Sequence, residues 1–156
     1  MKLVLSTCSL LCFVAAAFGC KCIPLSVAEK YCKNSDWGVL GKVLSESVLN
    51  DPNCFACKVY SVSAKQILKG HSAVQANMTK KKVSLFTSES SASCGVYLEV
   101  GKVYFVTGYI TDGKLHMNSC SHAAVVEPEA FKYAKKAKNG SLCTEPKSTS
   151  NSEPCK

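Results

Sequence analysis

Two cysteines one residue apart, Cys20-Lys21-Cys22, stand directly after an apolar run and directly before Ile23-Pro24. Met1-Lys2 is a positive start, Leu3 to Phe18 is apolar, and Ala17 and Gly19 are the small residues that a signal peptidase reads before a cut. Residues 1–19 therefore read as a removable export signal, with Cys20 the first residue of the mature chain. The run of about 16 residues is short for a bilayer span, and no later stretch approaches the apolar length of about 20 that spanning requires. A chain that begins Cys-x-Cys has its end tied down twice almost at once, whereas chain ends ordinarily fray. That pinned terminus constrains everything that follows.

Removing 1–19 from the 156 residues leaves 137, a size for one domain. Nine cysteines remain, at 20, 22, 32, 54, 57, 94, 120, 143 and 155. In an oxidising, extracellular compartment that density reads as a disulfide framework, with one thiol of the odd number left over. The chain carries 19 basic residues against 11 acidic, and every basic one is lysine. Base-edge and phosphate recognition lean on the arginine fork, so nucleic acid is not an expected partner. Lysine suits a soluble face or a loose attraction to sulfated glycans and acidic surfaces.

Along the chain, Leu25 to Lys33 reads as a short helix opened by a Ser26/Glu29 capping box, with Val27, Tyr31 and Cys32 facing inward. Trp37 to Leu44 reads as a strand bent at Gly38 and Gly41, and Asn50-Asp51-Pro52-Asn53 as a turn. Cys57 to Leu68 alternates as a second strand that ends at Gly70-His71. Lys80-Lys81-Lys82 leads into a strand over Val83 to Phe86, and Thr87 to Ser93 is a polar loop. Val103 to Ile110 is a β-branched and aromatic strand, joined by the Asp112-Gly113 hairpin to a partner over Lys114 to Ser119. Glu127 to Lys138 changes to helical period, with Pro128 in the first turn and Phe131 and Ala134 as its apolar stripe. From 144 onward the composition is that of a disordered polar tail. The expected fold is mainly β: a closed, disulfide-stapled antiparallel barrel with flanking helices over residues 20–143.

Enzyme chemistry finds no support in the motifs. His71, His116 and His122 lack the paired spacing of a zinc helix, and neither a nucleophile elbow nor a glycine-rich phosphate loop occurs. Cys54-Phe55-Ala56-Cys57 has redox-dithiol spacing, but a strand follows where thiolate activation needs a helix, so it reads as a local structural disulfide. No cofactor of its own is expected. Asn77-Met78-Thr79 and Asn139-Gly140-Ser141 are acceptable glycan acceptor triplets.

Cys20, Cys22 and Cys32 cluster at the terminus while Cys94, Cys120 and Cys143 are spread beyond, and spacing alone does not choose among the 15 pairings six cysteines allow. The order Cys-x-Cys-x-Pro with a third cysteine ten residues on, Ser93-Cys94-Gly95-x-Tyr97, and Asp112-Gly113-x-Leu115-His116 followed by Cys120-Ser121 together resemble the tissue inhibitors of metalloproteinases. The resemblance runs from Cys20 to about Cys143, over that family's netrin-like inhibitory module. It implies a five-stranded OB-type barrel and the bonds Cys20–Cys94, Cys22–Cys120 and Cys32–Cys143. It further implies that the free α-amino group and carbonyl of Cys20 chelate the catalytic zinc of a secreted zinc metalloproteinase, displacing the attacking water. The inhibitory ridge would comprise Cys20, Lys21, Cys22, Ile23, Pro24, Ser91, Ala92 and Ser93. Lys21 departs from the small Thr or Ser usual at the residue that enters the protease specificity pocket. The alternative expectation is a netrin-like binding module without inhibitory activity, engaging a receptor, an immune ligand or a matrix glycan.

Overall fold

The computed structural model describes residues 20, 22–51 and 54–144, without the side chains of 50, 51 and 54–56. The export segment 1–19, Lys21, Pro52-Asn53, the tail from 145 and Cys155 lie outside the described residues. The elements run α1 (Val27–Asn34), β1 (Trp37–Asp51), β2 (Cys54–Lys69), α2 (His71–Ala76), β3 (Met78–Thr79), β4 (Lys82–Ser88), β5 (Val103–Thr111), β6 (Lys114–His116), β7 (Ala124–Val126) and α3 (Glu129–Lys138). Single 3-10 turns cover Ser91–Ser93 and Ser141–Cys143. Among the described residues the protein is mainly β with three α-helices.

Hydrogen-bonded pairings lead from β1 to β2, β4, β6 and β5, and β5 pairs back with β1. These five strands form a ring. An all-antiparallel ring of five is impossible, because strand directions cannot alternate around an odd cycle. One parallel pair is required, and it falls at β4–β6, where Leu85 lies opposite Leu115 and Phe86 opposite His116. The wholly antiparallel expectation is corrected on that ground. Strand β6 ends at His116 instead of running to Ser119, and from Met117 the chain enters a loop.

The core divides in two. Trp37, Val39, Tyr60, Val62, Leu85 and Leu115 are among the side chains packed inside the ring. Tyr31, Leu40, Phe105, Ala130, Ala134 and Leu142 fill the space between the ring and helices α1 and α3. Strand β5 serves both clusters, Tyr104 and Val106 facing one and Val103 and Phe105 the other. Its unbroken apolar run follows from burial on both faces. Each large side chain so buried stabilises the fold by about 1.5–3 kcal/mol. Gly108 of β5 is required by close packing: a Cβ there would collide with the Trp37 ring and the His116 carbonyl.

The local elements follow the sequence expectation in part. The capping box forms, the Ser26 N–H donating to Glu29 Oε2 at 3.1 Å and the Glu29 N–H to Ser26 Oγ at 3.2 Å. The inward stripe of α3 is Ala130 and Ala134, four residues apart, while Phe131 is 45% exposed under the Lys65 ammonium, 5.7 Å from its ring centroid. Helix α2 and strand β7 are additional. Strand β1 continues to Asp51 on pairing with β2, through the first half of the expected turn. Lys80 and Lys81 form the turn of the β3–β4 hairpin, with φ of 51° and 63°, the left-handed pair that matches strand twist.

Candidate functional site: a doubly pinned terminal ridge

The structure joins Cys20 to Cys94, Cys22 to Cys120 and Cys32 to Cys143, with Cα separations of 5.4, 4.9 and 5.7 Å. The first two bonds meet. Cys120 Sγ is 3.2 Å from Cys20 Sγ and 3.3 Å from Cys94 Sγ. All four sulfurs lie within 4.8 Å of one another, the spacing of a thiolate metal site. They are engaged in S–S bonds, however, and it is the thiolate that ligates metal, so a resident ion does not fit this cluster. Cys57 is also disulfide-bonded, while the Cys54 side chain expected as its partner lies outside the described residues.

Above this cluster Ile23 is 78% exposed, and Cys22, Pro24, Ser91, Ala92 and Ser93 are exposed with it. Two loops hold the cluster from below. In the first, Ser90 Oγ accepts the Ala92 N–H at 3.1 Å, and the Ser90 carbonyl accepts the N–H groups of Ser93 and Gly95 at 3.1 and 3.0 Å. The turn closes with Cys94 at φ 60°, a left-handed conformation that costs a non-glycine residue about 1–3 kcal/mol and that the surrounding bonds maintain. Gly95 follows because a Cβ there would meet the Ser88 and Ser90 carbonyl oxygens. The next residues bond to side chains: Thr87 Oγ1 accepts from the Val96 N–H at 2.9 Å, Tyr60 Oη from Leu98 at 3.1 Å and Tyr104 Oη from Glu99 at 3.0 Å.

The second loop runs from Met117 to Ala123. The Met117 N–H donates to the Phe86 carbonyl at 2.9 Å, and the Ser119 N–H donates to the Cys94 carbonyl at 2.9 Å, tying the loops together. Lys30 Nζ of α1 donates to the Ser119 carbonyl at 2.9 Å, and burial pushes that ammonium below its ordinary pKa. Asn118 Oδ1 accepts the Ser121 N–H at 2.8 Å. The exit is sealed by a pair of bonds between Thr107 and Ala123, at 2.8 and 3.0 Å. His122, noted in the sequence only for its lack of zinc-helix spacing, is buried within this loop and packs on Tyr109, ring centroids 5.0 Å apart. No spacing rule would have found it, since its partners Asn34 and Asn118 lie on different segments.

Beside the ridge a cavity of about 230 Å³ opens between Ser93, Cys94, Tyr109, His116 and Asn118. His116 stacks between Phe86 and Tyr109 at 5.4 and 5.6 Å, and burial, then Lys114, push its pKa below the ordinary histidine value. The glycan triplets lie elsewhere. Asn77 Nδ2 donates to the carbonyls of Ala73 and Gly113 at 2.9 and 2.8 Å. Asn139 is exposed at the end of α3 and accepts from the Ser141 hydroxyl at 2.7 Å.

The family described as "Tissue inhibitor of metalloproteinase" matches residues 18–145. The chain belongs to that family. Among its relatives, Metalloproteinase inhibitor 3 of Xenopus laevis is 30% identical over 106 residues, covering 67% of this chain and 46% of the relative. Metalloproteinase inhibitor 2 of Homo sapiens is 31% identical over 127 residues, covering 77% and 54%. This member of the tissue-inhibitor family thus spans about half the length of the curated relatives it matches. The family's members are inhibitors rather than enzymes. Among the described residues no helix is long and apolar enough to cross a membrane.

Proposed function

We propose that the chain is secreted, that export removes residues 1–19, and that the mature protein inhibits zinc metalloproteinases through its new terminus. The α-amino nitrogen and carbonyl oxygen of Cys20 would chelate the target's zinc in place of the attacking water. Ile23 and Pro24 would lie along the cleft, with Ser91, Ala92 and Ser93 beside them. Pro24 keeps Ile23 extended, as a substrate-like path requires. The observation that carries this reading is the double anchorage: Cys20 and Cys22 are bonded to two loops that are hydrogen-bonded to each other through Ser119 and Cys94. A terminus so held loses little conformational entropy on docking, so more of the contact energy appears as affinity. We read the five-strand ring as the family's OB-type barrel, the scaffold that carries both loops.

The chelating amine must be unprotonated, and an α-amino group ordinarily titrates at about 7.7–8.0. Inhibition should therefore weaken below neutral pH. The deciding experiment titrates secreted protein, its terminus verified by mass spectrometry, against a panel of matrix metalloproteinases. An additional alanine before Cys20 should abolish inhibition; equal inhibition with a blocked terminus would refute the mechanism.

A second reading has its own observation. Lys132, Lys135 and Lys138 are exposed on α3, and Lys80 and Lys81 project from the β3–β4 turn. These favour a binding module for a receptor or a sulfated glycan, and absence of inhibition across the panel would select it.

A further inference from the structure

His122 is 5% exposed and joins three elements. Its Nε2 lies 3.1 Å from the carbonyl oxygen of Asn34 at the end of α1, and a carbonyl can only accept, so Nε2 carries the proton. Nδ1 is then free to accept, and it receives the Asn118 N–H at 3.3 Å. The ring face rests on Tyr109 of β5. This arrangement needs the neutral imidazole. A proton on Nδ1 would set one N–H donor against another at Asn118, in a place where burial withholds water as an alternative partner.

Asn118 is the pivot of the loop, its side chain holding Ser121 and its carbonyl accepting the His122 N–H at 3.3 Å. Between them stands Cys120, bonded to Cys22 and in sulfur contact with Cys20 and Cys94. We propose that His122 is a positioning residue for the Cys20–Pro24 ridge, its neutral imidazole holding the Asn118–His122 loop closed near neutral pH and releasing it in acid. The consequence for inhibition rests on the function proposed above; the loop's response to acid does not.

The surrounding charges act in both directions. Burial is the largest influence and pushes the His122 pKa down; the backbone groups of Asn34 and Asn118 oppose it, Lys30 of α1 lowers it further, and Asp36, between α1 and β1, raises it. Tyr109 of β5 is in contact, and through its ring so is His116 of β6. With the folded pKa below the ordinary value of about 6.5, the stabilisation is complete above that value and is lost as pH falls through the lower, folded one.

The test is NMR on the disulfide-intact secreted protein. Near neutral pH, His122 should show the Nε2–H tautomer. As its imidazole titrates, amide exchange at Asn118 and Ser121, corrected for intrinsic pH dependence, should accelerate about tenfold while core amides of β5 hold. His122→Gln, which does not titrate, should remove that acceleration. Protection that persists through the imidazole titration overturns the proposal, and so does a response that survives in His122→Gln; should that variant fail to fold, the wild-type titration decides alone. In a parallel inhibition assay, both proteins should lose potency in acid through the amine, the wild type more steeply. No inhibition by either at any pH refutes the function proposed for the ridge and leaves the amide measurement to decide on His122.

Discussion

The sulfurs of Cys94 and Cys120 lie 3.3 Å apart although each is bonded to a different partner. One belongs to the turn after Ser91–Ser93, the other to the loop locked by His122, and the Ser119 N–H to Cys94 carbonyl bond completes the bracket at 2.9 Å. Two pins at the first and third residues of the proposed mature chain fix both the position and the direction in which the chain leaves Cys22. A single bond at Cys20 would fix position alone.

Removing one pin should therefore separate stability from function. Cys22→Ser with Cys120→Ser opens a bond spanning 98 residues, which should lower the unfolding free energy by about 2–5 kcal/mol. The ring and the Cys32–Cys143 bond remain, so far-UV circular dichroism should be unchanged. Inhibition should fall by a larger factor than the stability loss predicts, because a terminus held by Cys20–Cys94 alone must still be oriented on docking. Denaturant titration and inhibition constants measured on the same preparation check this.

Asn77 should leave the secretory pathway without a glycan. The nitrogen a glycan would occupy donates to the carbonyls of Ala73 within α2 and of Gly113 in the β5–β6 turn. Modification would remove at least one of these bonds, and each is worth about 1 kcal/mol. Glycosidase treatment followed by mass spectrometry should place any occupancy at Asn139, whose side chain is exposed. Asn77→Ala should destabilise the protein by about 1–3 kcal/mol with no change in glycan mass.

His116 supplies a pH dependence separate from the terminal amine. Burial between Phe86 and Tyr109, then Lys114, hold its pKa below the ordinary value, with Asp112 opposing. The folded state thus favours the neutral ring. Its contribution is complete above about pH 6.5 and is lost as pH falls through the lower folded pKa. His116→Phe keeps an aromatic ring in the stack and removes the titration. Urea midpoints between pH 4.5 and 7.5 should fall less steeply for this variant than for the wild type.

Legibility in the sequence followed the range of the interactions. The Ser26/Glu29 box and the Asp112-Gly113 turn are settled within four residues, and both stand where the sequence places them. Beyond Val43, β1 reads Leu-Ser-Glu-Ser-Val-Leu without alternation, because its pairing comes from β2 and not from a buried face. Helix α2 buries only Val74, too little for a period to show. In α3, Phe131 is the most apolar residue of its turn, yet the small side chains of Ala130 and Ala134 let the helix approach Phe105 and Tyr31. The ridge was legible as residues. Its support was not, since Tyr60 and His122 act through the backbone of Leu98 and Asn34, 38 and 88 residues away in sequence.

Lys21 should set the potency. Under the proposed mechanism the second mature residue enters the protease's specificity pocket, where the family usually places Thr or Ser. Placing an unpaired ammonium in an apolar pocket costs several kcal/mol, reduced where the lysine stem lets the charge reach water. Lys21→Thr should therefore strengthen inhibition of proteases with apolar pockets, by about tenfold for each 1.4 kcal/mol of penalty relieved. A protease with a carboxylate in that pocket should respond in the opposite sense, because the substitution leaves its charge unpaired. Inhibition constants for both proteins against one enzyme of each kind are the measurement. Equal constants against both would place residue 21 outside the pocket and remove the ridge's proposed alignment in the cleft.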